Sequence, residues 1–121
     1  MAKHNEIGEQ GEQIAVDFLV EKGYKILERN WRFSRAEVDI IAMDGEVLVF
    51  FEVKTRSYTF YGNPEQFVTE KKEAFLVDAA HVYMEKIGHD WDIRFDVVGI
   101  VLKNEFSYEI RHFEDAFFPS W

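Results

Sequence analysis

The sequence predicts a mixed α/β (α+β) fold, a mixed central β-sheet flanked by helices in the order α-β-β-β-α-β-β. Three observations carry that expectation. Two segments, one near the N-terminus and one in mid-chain, space their apolar residues with helical period. Five others alternate or run apolar over strand-like lengths, between Gly, Asn and Asp-Gly signals. The 121 residues, 47% hydrophobic and 17% aromatic, supply one real core and fit one domain spanning 1–121.

From about His4 to Lys22, the positions Gly8, Gly11, Ala15, Phe18 and Leu19 share one helical face, and Gly23 is a natural stop. "YKILERNWRF", "AEVDIIAM" and "EVLVFFEVK" read as three strands. Met43-Asp44-Gly45-Glu46 joins the last two, and Asp-Gly is a strong hairpin signal. "SYTFYG" reads as irregular. At Asn63-Pro64-Glu65-Gln66, Asn63 suits a helix cap, Pro64 the first helical position, and Gln66 completes a capping-box pattern. The second helix runs to about Lys86, with Val68, Phe75, Leu76, Ala79 and Tyr83 inward. "IRFDVVGIVLK" and "EFSYEIRHF" are the last strands, with Asn104 near their turn, and the aromatic tail "EDAFFPSW" packs down.

Composition excludes several classes. With no cysteine there is neither a disulfide framework nor a thiolate metal site. The start "MAKHNEIGEQGEQ" is polar, and the longest apolar run, "VLVFF", is far short of the ~20 residues that span a bilayer. The expectation is a soluble cytoplasmic protein with no membrane partner. A net charge of −9, from 23 acidic and 14 basic residues, argues against broad electrostatic adhesion to polyanions but permits a local basic strip.

One strand end stands out. In "VLVFFEVKTR", Glu52 and Lys54 lie two apart on one face of an otherwise apolar strand. A two-residue Asp44-Gly45 loop would pair Ile41 with Leu48, Asp39 with Phe50 and Glu37 with Glu52, setting Glu37, Asp39, Glu52 and Lys54 on one face. Any even loop keeps that parity. Facing carboxylates cost roughly a few tenths to 1 kcal/mol, so the cluster calls for a cation. Lys54 is one; a bound Mg²⁺ or Mn²⁺ suits oxygen-only ligands. A carboxylate-held metal beside a lysine is the equipment of phosphodiester hydrolysis. The alternative is an ion pair where the strand emerges into solvent.

Glu12 falls on the sheet-facing stripe of the first helix, and Lys72 on the inward stripe of the second. Arg94 and Asp96 share a face and read as a structural ion pair. The histidines His4, His81, His89 and His112 show no metal-ligand spacing. Tyr58, Phe60 and Tyr61 offer rings for stacking on a base.

Asp39 … Glu52-Val53-Lys54 resembles the PD-(D/E)xK nuclease signature. More widely, "GEQGEQIAVDFLVEKGYKILERNWR", "AEVDIIAMD", "VFFEVKTRS", "YGNPEQFVTEKKEAFLVDAAHVYM" and "RFDVVGI" resemble the YraN-like uncharacterised proteins. Those are bacterial relatives of archaeal Holliday-junction resolvases with a restriction-endonuclease-like core. The resemblance implies a single endonuclease-like domain with metal ligation by Asp39, Glu52 and the Val53 carbonyl, and Lys54 as catalytic lysine. It gives Glu12 the place of a first-helix glutamate, and Glu37, Gln66 and Lys72 supporting places. Arg32, Arg35, Arg56 and Lys72 would rim the site for phosphates. Ala36 stands where the family usually has glycine, which suits alanine if φ is negative there. The expected partner is nucleic acid, most naturally DNA, and junction-cutting relatives work as dimers, which extends to a homodimer here. The alternatives are a catalytically inactive nucleic-acid-binding or scaffold protein on the same fold, favoured by the charge, and a structural partner protein whose Glu-Lys pairs only stabilise it.

Overall fold

The structure, a computed structural model, describes residues 2–57, 70–104 and 107–116, with side chains placed for 7–56, 74–104 and 107–116. The elements follow the expected order: α1 (Ala2–Glu21), β1 (Lys25–Phe33), β2 (Ala36–Asp44), β3 (Val47–Ser57), α2 (Glu70–Ile87), β4 (Ile93–Leu102) and β5 (Tyr108–Phe113). The expected cap at Asn63-Pro64, the inward Val68, the rings of Tyr58, Phe60 and Tyr61, and the tail beyond Ala116 lie outside the described residues.

Both helices end on a left-handed glycine. Gly23 has φ +97°, its N–H bonds the Val20 carbonyl at 3.0 Å, and the Tyr24 N–H reaches back to Leu19 at 2.9 Å. Gly88, at φ +70°, repeats the pattern, with His89 N–H on the Met84 carbonyl at 2.9 Å. This double bond satisfies the last carbonyls of each helix and turns the chain back to the sheet.

The five strands lie in chain order, β1 to β5. Every neighbouring pair is antiparallel except β3 with β4, which are parallel and joined through α2. The helices cover opposite faces. Ala15 and Leu19 of α1 bury against Ile40, Ala42, Val49, Phe51, Val98 and Ile100. Leu76, Ala79 and Tyr83 of α2 bury against Val38, Ile41, Leu48, Phe50 and Phe95. Within the expected α1 stripe, Gly11, Ala15 and Leu19 are buried, whereas Gly8 is exposed.

The β2–β3 loop is Gly45-Glu46, because Asp44 pairs with Val47. The register is therefore two residues off the Asp44-Gly45 expectation: Ile41 faces Phe50 and Met43 faces Leu48. Gly45, at φ +60°, takes the first loop position, where a left-handed residue fits a tight hairpin. Asp44 stays in the strand, its carboxylate held by Arg94 at 3.1 Å. The loop is still even, so the expected parity holds over the paired residues 40–44 and 47–51 but does not extend to Glu37.

Strict alternation breaks within β2, apart from the bulge that β1 carries between Ile26 and Glu28. Val38 packs on the α2 side, as does Ile41, while Ile40 packs on the α1 side. The residues between the Arg29↔Ile40 and Trp31↔Val38 pairs are Asn30 and Asp39, and Asn30 has φ +53°. Asn30 of β1 thus takes its left-handed conformation beside the point where β2 switches sides.

Candidate active site

β2 and β3 stay paired from Asp44↔Val47 to Ile40↔Phe51, where the ladder between them ends. Two residues further along β3, the Val53 N–H donates to the Asp39 carboxylate at 2.7 Å. A side-chain oxygen has taken a main-chain donor, and the short distance is that of a charge-assisted bond. Extending the register sets Asp39, not Glu37, opposite Glu52. The Asp39 carboxylate meets the Glu52-Val53 peptide where β2 switches sides between Val38 and Ile40.

Glu52 follows Phe50 onto the α2 side and is 3% exposed. Its carboxylate lies 3.2 Å from the Lys54 ammonium, itself 18% exposed. Burying a carboxylate is costly without a cation close by, so this pair is more than a frayed strand end. Arg35, Ala36, Glu37, Asp39, Glu52, Phe75 and Leu76 line a hollow of about 140 Å³ over the two carboxylates. Ala36 is buried and is not among the positive-φ residues, so the alanine there is unstrained.

The other expected residues are distributed around this hollow. Glu37 borders it and also a wider second hollow on the α1 side, formed with Gly8, Glu9, Glu12, Arg29, Asn30 and Arg32. Glu12 belongs to that second hollow, where Arg29 stands 3.9 Å away, and the structure does not bring it to Glu52. Gly11 lets α1 lie against Thr55, since a Cβ there would meet the Thr55 side chain. Arg32 is 76% exposed and pairs with Glu37 at 3.1 Å. Arg35 is exposed at the hollow's rim, and Arg56 donates to the Thr55 carbonyl at 2.9 Å. Gln66, and the side chain of Lys72, lie outside the described residues.

Two hard carboxylates and the adjacent Val53 carbonyl form a donor set that suits Mg²⁺ or Mn²⁺. Among the described residues, no three His, Asp or Glu side chains converge to hold a metal ion. Within the described residues, such an ion would rest on two side chains plus main chain.

A second polar cluster lies on the α1 side. Arg94 holds Asp96 with two bonds of 2.9 Å and donates to the Tyr24 hydroxyl at 2.6 Å. His112 contacts Asp96 at 2.7 Å and Lys22 at 2.8 Å, and the Asp115 N–H bonds Asp96 at 3.1 Å. Burial raises the Asp96 carboxyl, but His112, Arg94 and the Asp115 N–H outweigh it and hold the group below its ordinary range. Burial pushes the Tyr24 hydroxyl up to about 12, with Arg94 opposing. The expected Arg94–Asp96 pair is thus present, but Tyr24, Asp44 and His112 were not foreseen in it. The buried Arg-x-Asp was the available signal; nothing local to His112 marks it.

The uncharacterised protein family UPF0102 matches this chain over residues 11–100. A UPF0102 protein of Flavobacterium psychrophilum is 48% identical over 118 residues, 98% of each chain. One of Christiangramia forsetii is also 48% identical over 98% of both. Another, of Chlorobium phaeobacteroides, is 44% identical over 91% of this chain and 88% of its own. The matched span includes Glu12, Asp39, Glu52 and Lys54.

Proposed function

The chain belongs to the uncharacterised UPF0102 protein family, and from its site residues we propose that it is a Mg²⁺- or Mn²⁺-dependent nuclease hydrolysing phosphodiester bonds of branched or otherwise structured DNA. The observation that carries this reading is the meeting of Asp39, Glu52 and Lys54 where the β2–β3 ladder ends, with Asp39 fixed by the Val53 N–H at 2.7 Å. Asp39, Glu52 and the Val53 carbonyl would hold the metal, which would polarise the phosphate and acidify a bound water. Lys54 would neutralise charge developing on the phosphate. Val53 orients the Asp39 carboxylate, and Phe75 and Leu76 of α2 supply the hollow's apolar lining.

The test is cleavage of labelled junction, flap and single-stranded DNA with Mn²⁺ or Mg²⁺. The wild type should cut, and Asp39→Ala and Lys54→Ala should each lose on the order of 10²–10³ in rate. A wild type that cuts nothing, or variants that cut equally well, would refute the catalytic assignment. A second reading, a nucleic-acid-binding protein without catalysis, is favoured by the net charge of −9 and by the absence, among the described residues, of a three-carboxylate site. Calorimetric titration with Mn²⁺ separates the two, since only the first requires heat that is lost in Asp39→Ala.

A further inference from the structure

The hairpin joining β1 and β2 turns through Ser34-Arg35, with Phe33 paired to Ala36 and Ser34 at φ +57°. Its tip carries three chemical handles within four residues. Arg32 is 76% exposed, Arg35 is exposed, and Phe33 between them is 38% exposed. A lone exposed aromatic is ordinary. This one sits between two arginines in a chain of net charge −9, and Arg35 and Glu37 border the hollow containing Asp39 and Glu52. Phe33 is two residues beyond Trp31, which packs on Tyr83 of α2 at 5.2 Å, so both rings lie on the side of the sheet that carries Glu52.

We infer that the Arg32-Phe33-Ser34-Arg35 tip is a grip for an unpaired DNA nucleotide, with Arg35 at the rim of the Asp39–Glu52 hollow on a flanking phosphate, the Phe33 ring stacked on the base, and Arg32 turned to the opposite face. The inference rests on the nuclease reading for its partner and deepens it by naming single-stranded or unpaired DNA as what enters. A duplex keeps its bases stacked on one another, whereas an unpaired base offers its face to a ring, and an arginine beside the ring holds the chain.

The experiment is fluorescence anisotropy with a labelled single strand and the matching duplex, in EDTA so that nothing is cut. Wild type should prefer the single strand. Phe33→Ala should weaken single-strand binding roughly 5- to 100-fold while leaving duplex binding unchanged, and Phe33→Trp should restore it. Thermal melts of the three proteins control for folding. Equal single-strand binding by wild type and Phe33→Ala, or an equal loss for both DNA forms, would overturn the grip and leave the nuclease reading standing. Wild type that binds neither form would overturn the grip, while Mn²⁺-dependent cleavage decides the nuclease reading separately. Phe33-dependent binding without Mn²⁺-dependent cleavage would support the grip and refute the catalysis.

Discussion

Replacing Gly11 by alanine should destabilise the protein, although the same change at Gly8 should stabilise it. Both lie within α1. In a helix interior, alanine is favoured over glycine by roughly 0.8–1 kcal/mol. A Cβ at Gly8 would meet nothing within 4 Å, so that full gain is expected. At Gly11 it would approach Thr55 Cβ and Cγ2 to 2.7 Å and overlap Oγ1. These atoms sit at the root of a β-branched side chain in a strand and cannot swing aside. Overpacking of this kind costs roughly 1–3 kcal/mol, which cancels or exceeds the propensity gain. The gap between the two variants is the clash itself, about 1–3 kcal/mol. With a urea m-value of order 1–3 kcal/mol/M, it separates their midpoints by about 1 M. Urea unfolding followed by circular dichroism reads it directly. If Gly11→Ala is as stable as Gly8→Ala, the close approach of α1 to β3 is wrong, and with it the placing of Glu12 beside Arg29.

Three further expectations come from the polar groups in the fold. Arg94→Met should cost roughly 3–5 kcal/mol in chemical denaturation, because it strips the bidentate cation from an Asp96 that is 0% exposed; a loss under 1 kcal/mol would refute the network's importance. The lowered Asp96 carboxyl contributes stability that is fully present above its unfolded value, near pH 4, and lost as the pH falls through its depressed folded value. Asp96→Asn should therefore flatten the acid limb of a stability–pH curve below roughly pH 4. Burial and then Glu28, 3.3 Å away, push the Tyr83 hydroxyl up to about 12, so its contribution persists below its ordinary value and is lost as the pH rises through about 12. In a tyrosinate titration, Glu28→Gln should lower Tyr83 and leave Tyr24 unmoved.

Much of this architecture is legible in the sequence because it is locally encoded. Helical spacing in α1, the glycine stops and the alternation of β2 and β3 need only neighbours in the chain. The register error came from a contact that sequence cannot see: Asp44 looks like half of an Asp-Gly turn, but Arg94, 50 residues away, keeps it in the strand. Counting alternate residues from Asp39 assumes an unbroken pleat, and β2 breaks it between Val38 and Ile40. Glu12, whose side chain is 18% exposed, stands 3.9 Å from Arg29 of β1, and a helical wheel cannot say which strand supplies that cation. His112 reaches Asp96 only because β4 and β5 pair, so its part in the network had no local mark.

The end of the β2–β3 ladder also has a kinetic meaning. The Val53–Asp39 bond closes a segment of 14 residues, whereas the Trp91–Glu46 bond that ties the crossover back to the sheet spans 45. On loop-closure entropy, the longer closure costs about 1 kcal/mol more. The two carboxylates are thus brought together by a local meander before the parallel strand that backs them arrives. Pulse-labelled amide exchange should protect Val53 ahead of the β4 amides, and the reverse order would refute this. What the chain assembles first, on that account, is its chemistry, with the far half of the sheet closing behind it as reinforcement.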